Sequence, residues 1–132
     1  MDNEQIEIFK EETRELLEEL ESSMLKLEKN REDEALIAQI FRSLHTIKGS
    51  GAMFGFDDVS QFTHRVENIF DMLRKGKIEV TPELIDMGLS SLDIIRDMVK
   101  SDSGNIHLET RRNSLLETFS RFYEPSAIKQ AG

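Results

Sequence analysis

Apolar residues recur along this chain every three to four positions, in blocks separated by short polar breaks. The first block runs from about Glu4 to Lys29. Ile6, Phe9, Leu16, Leu17, Leu20, Met24 and Leu27 fall on one side at a 3.6-residue period, which predicts an amphipathic helix. Asp2 or Asn3 is placed to cap it, and Glu4 and Glu7 suit its positive end. Asn30 to Asp33 is a polar break, with Asp33 placed to cap a second helix over about Glu34 to Phe54. The stripe of that helix is Ile37, Ile40, Phe41, Leu44, Ile47, Gly51 and Phe54. Gly55 suits a left-handed helix end, and Asp57 suits the cap of a third helix, about Asp58 to Arg74. Val59, Phe62, Val66, Ile69, Phe70 and Leu73 point inward there, and Lys75-Gly76-Lys77 stops it.

Thr81-Pro82-Glu83 combines a capping hydroxyl with proline at the first helical position. A fourth helix therefore runs to about Lys100, with Leu84, Ile85, Gly88, Leu92, Ile95 and Val99 inward. After a loop at Ser101 to Asn105, a shorter fifth helix covers about Leu108 to Tyr123, closed by Pro125. No convincing strand, repeat or low-complexity tract interrupts the pattern. Long helices joined by short loops predict an all-α fold: an antiparallel up-down four-helix bundle with an additional C-terminal helix. The expectation is one domain over 1–132, with the bundle at about 4–100 and the fifth helix at about 108–123.

Composition narrows what such a bundle can do. The net charge of -9 and the lack of a basic stripe argue against nucleic acid. The chain has no cysteine, so thiolate chemistry, disulfides and zinc–thiolate sites are excluded. No apolar run approaches the ~18 residues of a membrane span, and the N-terminus lacks a signal-peptide pattern. The cytoplasm is the expected compartment. No phosphate-binding loop of the Gly-x4-Gly-Lys-Ser/Thr kind is present, so an ATP site is not expected within the chain.

One residue stands against the helical pattern. With the stripe of helix two centred near Ile37, Leu44 and Gly51, His45 lies about 120° from that centre, facing solvent. Lys48 follows on the same side, and Gly49 points almost directly away from the core. A glycine inside a helix costs about 1 kcal/mol relative to alanine. Close helix approach can explain Gly51, whereas no intradomain need is evident for Gly49. Helix three carries a second polar pair, His64 and Glu67. If the two helices form a hairpin about Gly55-Phe56, His45 lies roughly 16 Å from the turn and Glu67 roughly 17 Å. They can therefore meet at one level. The same spacing puts His64 at roughly 13 Å and Lys48 at roughly 11 Å. The carboxylate is expected outside the core, so Glu67→Ala is expected to keep the fold.

An imidazole so placed suits attack on phosphorus. One ring nitrogen must be free as the nucleophile; the other should carry a proton and donate it to an acceptor, which fixes the tautomer. Glu67 offers that acceptor, and Lys48 offers a mobile positive charge for phosphoryl oxygens.

These residues carry a resemblance. Phe41-Arg42-Ser43-Leu44-His45-Thr46-Ile47-Lys48-Gly49 resembles the phosphoacceptor segment of the histidine phosphotransfer (HPt) domain family, in particular the P1 domains of CheA-type chemotaxis kinases. Phe54-Gly55-Phe56 is similar to that family's helix-two exit, and Thr63-His64-Arg65-Val66-Glu67-Asn68 resembles its second signature. The likeness extends from about Ile6 to Lys100. Gly51-Ala52 departs from the commoner order of alanine then glycine, and Met53 is bulkier than the threonine common nearby.

The resemblance implies that His45 is the phosphoacceptor, modified on Nε2, with Glu67 accepting a hydrogen bond from Nδ1. It implies that Lys48 and His64 complete the polar network and that Gly49 leaves room for docking, beside Arg42 and Ala52. It implies no cofactor or metal in this domain. It further implies that ATP is bound by a CheA-like kinase catalytic domain elsewhere in a bacterial, cytoplasmic parent protein, and that CheY- or CheB-like response regulators receive the phosphoryl group. The isolated domain is expected to be a monomeric carrier without membrane insertion. Rival readings are a stand-alone HPt relay protein, a non-catalytic helical interaction module and a bundle metalloprotein. The last would need inward carboxylates and histidines, of which His64-x-x-Glu67 is one outward-pointing pair. His64 is a lesser candidate for the phosphoacceptor, and His107 reads as an ordinary solvated residue.

Overall fold

The computed structural model describes residues 2–100 and 106–124, and the regular elements among them are all helices. In chain order these are α1 (Asn3–Lys29), α2 (Glu34–Met53), α3 (Asp57–Arg74), α4 (Pro82–Lys100) and α5 (Ile106–Arg121). α1 to α4 form the antiparallel bundle, each packed on two neighbours, and α5 lies against α4 and touches α3. This is the all-α architecture the periodicity predicts. The loop expected at 101–105 and the stop expected at Pro125 lie outside the described residues.

Short polar side chains start three of the helices. Asp2 Oδ1 accepts the Gln5 amide at 2.9 Å, Asp33 Oδ1 accepts the Leu36 amide at 3.0 Å, and Thr81 Oγ1 accepts the Leu84 amide at 3.1 Å. Each satisfies a donor that the first turn of a helix leaves without an intrahelical partner. α3 differs from expectation. Phe56 holds its cap position with no side-chain hydrogen bond, and Asp57, expected as the cap, is its first helical residue.

The preceding turn gives the reason. Gly55 has φ +84°, and the amides of Phe56 and Gly55 fold back onto the carbonyls of Gly51 at 2.7 Å and Ala52 at 3.4 Å. This left-handed ending is one that glycine adopts without Cβ strain. The chain reverses so tightly that the Phe56 carbonyl already accepts the Ser60 amide at 3.0 Å, and α3 begins there.

The core follows the expected stripes with three differences. Leu17, Leu20, Met24 and Leu27 of α1, Ile40, Leu44 and Ile47 of α2, Val66, Ile69 and Phe70 of α3, and Leu84, Ile85, Leu92 and Ile95 of α4 are buried together. Phe9 stacks on Phe54 and Phe56, with ring centroids 5.4 and 4.7 Å apart, and closes the end where α2 turns into α3. The first difference is that Ile6 and Phe41, both in the expected stripes, are half-buried and belong neither to the core nor to the hydrophobics packed against it. The second is that α4 buries Met87, Ser91, Ile94 and Met98 beyond its expected stripe. α5 packs against α4 and contributes the buried Phe119, and Phe122 is buried in the turn that follows it. The third is that Ile78 and Val80, in the connection before α4, are also buried. Phe119 meets Phe62 of α3 with centroids 5.6 Å apart, which ties the fifth helix to the bundle. Among the described residues no helix is long and apolar enough to cross a membrane.

Candidate functional site: a histidine, a buried glutamate and a lysine between α2 and α3

Among the described residues α2 and α3 make the most extensive helix pairing, and glycine permits a close approach between them. A Cβ on Gly51 would stand 3.3 Å from the Phe56 carbonyl oxygen and 3.4 Å from the Ser60 nitrogen, tighter than ordinary contact. The Ser60 hydroxyl donates across the same seam to the Lys48 carbonyl at 2.9 Å. The tight turn, the close approach and this cross-link set the register between the helices. That register brings three polar side chains together.

His45 Nδ1 lies 2.6 Å from Glu67 Oε2, and Lys48 Nζ donates to the other carboxylate oxygen, Oε1, at 2.9 Å. The side chain of Glu67 is only 5% exposed, against 64% for His45 and 26% for Lys48. His45 thus faces solvent, as its place on the helix wheel predicts. Glu67 does not lie outside the core as expected. The axial match with His45 holds, but the residue expected to point outward is buried, because α2 packs closely against α3 at this level. Lys48 comes from a different axial level than His45 and reaches the acid because its four-carbon stem spans the difference.

The electrostatics follow from this packing. Burial is the largest influence on Glu67 and pushes its carboxyl pKa upward. The hydrogen bonds and charges of Lys48 and His45 together outweigh burial and hold it below the usual glutamate value. The carboxylate therefore stays ionised with both oxygens engaged. A carboxylate can only accept, so in the neutral ring Nδ1 of His45 carries the proton and Nε2 keeps its lone pair. No hydrogen bond occupies Nε2 among the described residues. A ring anchored at one nitrogen and open at the other can act as a nucleophile, and the acid behind it stabilises positive charge gained during attack.

The other expected residues are placed less tightly. His64 is exposed on α3, and among the described residues no hydrogen bond joins it to His45, Lys48 or Glu67. Arg42, Gly49 and Ala52 are exposed on α2 around His45. A Cβ on Gly49 would meet nothing within 4 Å, so no packing inside this chain requires glycine there. Among the described residues no three His, Asp or Glu side chains gather to hold a metal ion.

Four neighbours, Phe41, Arg74, Asp71 and Lys75, carry no site role in the sequence analysis. The Phe41 ring lies 6.3 Å from the His45 imidazole, centroid to centroid, with planes 21° apart. The Arg74 guanidinium carbon sits 4.3 Å from the centre of the Phe41 ring. Arg74 in turn donates to Asp71 at 2.6 Å, and Lys75 Nζ lies 2.9 Å from the second Asp71 oxygen. Spacing carried a signal for both links. Phe41 precedes His45 by one turn on α2, and Arg74 follows Glu67 by two turns on the same face of α3.

Comparison with known proteins places this geometry. The family model for the Hpt domain matches residues 4–104. The chain belongs to the Hpt domain family. It is similar to the chemotaxis protein CheA of Borreliella burgdorferi, with 41% identity over 92 residues, which is 70% of this chain and 11% of that protein. It thus spans about a ninth of the length of that relative. Among solved structures, the CheA phosphotransferase domain from Thermotoga maritima superimposes with a TM-score of 0.73 at 39% identity, covering 76% of this chain and 96% of that one. The solution structure of the histidine phosphotransfer domain of CheA has a TM-score of 0.76 at 31% identity and covers 99% of this chain and 96% of that one. As an Hpt domain, the chain has its function in phosphorelay signalling.

Proposed function

We propose that this Hpt domain is the phosphocarrier of a CheA-type two-component kinase and that His45 is its phosphoacceptor. The carrying observation is the exposed imidazole whose Nδ1 is held 2.6 Å from the buried Glu67. The substrate is ATP, bound by a kinase catalytic domain outside this chain. The Nε2 lone pair attacks the γ-phosphorus, the N–P bond forms, the bond to the β,γ-bridging oxygen breaks, and ADP leaves. The ring, still protonated at Nδ1, then carries the phosphoryl group as a cation-like imidazole paired with Glu67. In the second step an aspartate oxygen of a CheY- or CheB-like response regulator attacks the same phosphorus. The N–P bond breaks and its electrons return to Nε2, which restores the starting ring.

Each residue has a separate role in this reading. Glu67 fixes the tautomer and offsets the developing positive charge. Lys48 balances the buried carboxylate and keeps it ionised. Gly49, Ala52 and Arg42 form the low surface on which a partner approaches Nε2. His64 contributes once a partner or phosphoryl group draws it toward the ring. The single domain spans 1–132, in the cytoplasm of a bacterium.

The test is incubation with a CheA-type kinase domain and radiolabelled ATP. The expected result is acid-labile, alkali-stable phosphate on the wild-type domain and none on His45→Gln. Because a glutamine amide can still donate to the buried Glu67, that variant should stay folded. Label that persists in His45→Gln would place the chemistry on another residue. A purely structural module would show no label on either protein.

A further inference from the structure

We infer that Phe41 and Arg74 form a brace that sets the plane of the His45 imidazole, with Asp71 as its anchor. This rests on the reading of His45 as the phosphoacceptor. It assigns positioning work to residues outside the His45–Glu67–Lys48 cluster.

A hydrogen bond at Nδ1 fixes one point on the ring. The imidazole can still roll about the line from Cβ toward the carboxylate, and such a roll swings Nε2 through an arc. In-line attack on phosphorus tolerates little of that motion, because rate depends steeply on how closely the bound geometry approaches the reactive one. A second, non-collinear contact is needed to fix the plane. Phe41 supplies one: its ring lies one helical turn before His45 with its plane within 21° of the imidazole.

Phe41 is poorly explained otherwise. It is half-buried, yet it is packed neither in the core nor against it. Among the described residues its ring has two aromatic or cationic companions, His45 and Arg74. A guanidinium on an aromatic ring is held by the ring's negative face, and its planar shape suits stacking better than an ammonium does. Arg74 is itself oriented by Asp71 through Nε at 3.2 Å and Nη2 at 2.6 Å. Lys75 holds the other Asp71 oxygen, so the anchor does not rest on Arg74 alone. A path of contacts therefore runs from Asp71 through Arg74 and Phe41 to the reactive ring. Glu67 holds that ring from the opposite helix.

The brace predicts effects that a structural or docking role would not produce. Side-chain NMR relaxation at the Cε1–H bond of His45 reads ring order without any phosphate transfer. Steady-state phosphorylation by a CheA-type kinase domain, with this chain as the varied substrate, separates kcat from KM. In Phe41→Leu, ring order at His45 should fall and kcat should drop by roughly tenfold. KM and the thermal midpoint should stay near wild type, and Phe41→Tyr, which keeps a flat ring, should restore both readouts. Arg74→Gln should act in the same direction by roughly two- to fivefold. Arg74→Lys should resemble Arg74→Gln, because it keeps the charge and loses the planar stack.

Unchanged ring order in both Phe41→Leu and Arg74→Gln would overturn the brace. So would a defect confined to KM, a Phe41→Tyr variant as impaired as Phe41→Leu, or wild-type behaviour in Arg74→Lys. If Phe41→Leu failed to fold, the exposed Arg74 variants would carry the test. Failure of the phosphoacceptor reading would appear separately, as label retained in His45→Gln.

Discussion

The α2–α3 seam and the α4–α5 seam both carry ion pairs between helices, but they use them differently. Between α2 and α3 the acid is buried: Glu67, 5% exposed, holds Lys48 and His45 across the gap. Between α4 and α5 the pairs ride on the surface. Arg111 meets Asp97 at 2.7 Å with both side chains nearly half exposed, and Arg121 lies 3.5 Å from Glu83 with both more exposed still. What secures α5 is apolar, chiefly Phe119 and Phe122. The polar contact at the first seam is therefore costly to break. At the second seam it is close to dispensable, because exposed pairs compete with water and contribute about 0–1 kcal/mol. Burial, more than distance, sets the consequence of an ion pair, and this chain places its buried acid beside an exposed imidazole.

The comparison can be broken most forcefully at its apolar end. Phe119→Ala should destabilise the protein by about 3–5 kcal/mol, read as a lower urea midpoint. It should also loosen α5 without removing the phosphorylation proposed for His45. A small effect would mean that α5 is held by its surface pairs after all.

Glu67→Ala should come next, at about 2 kcal/mol. It strips the Lys48 ammonium of its buried partner, and the partial exposure of Lys48 lets water repay some of that loss. The variant should fold and, on the proposed role of His45, should accept phosphate slowly from the kinase domain.

Glu67 also gives the seam an acid dependence. Its folded pKa lies below the usual 4.5, so its contribution is fully present above that value and is lost as pH falls through the lower folded value. The stability gap between wild type and Glu67→Gln, followed by urea titration, should narrow on acidification below about pH 4.5 and stay constant above it. A gap that widened on acidification would contradict the charge balance described for this cluster. Asp97→Asn should be the mildest change, below about 1 kcal/mol in the same titration. A larger loss would erase the distinction between the two seams.

Helix ends and the direction of single side chains were legible because both are local. Asp33 and Thr81 could be read as caps since the bonded amide is three residues away in the same strand of sequence. His45 could be read as outward because 100° per residue needs no knowledge of neighbours. The axial match of His45 and Glu67 was also legible, since a tight turn at Gly55 lets distance be counted from one point. Asp57 was misread because the same turn advances the start of α3 by a residue. The second buried face of α4, with Met87, Ile94 and Met98, could not be assigned from one stripe. Its burial depends on where α5 comes to rest.

The amino-acid order alone determined a bundle of amphipathic helices, an imidazole on its open side, and an acid at matching height on the next helix. Periodicity and chain connectivity are enough for each of these. Only the tertiary structure decided that the acid is buried, that Lys48 is engaged with it, and that Phe41 stays out of the core with Arg74 and His45 as neighbours. Those outcomes depend on how far apart two helices stand and which long side chains bridge the gap. Interhelical distance is set by packing across the whole interface, down to the missing Cβ of Gly51, and no single helix encodes it.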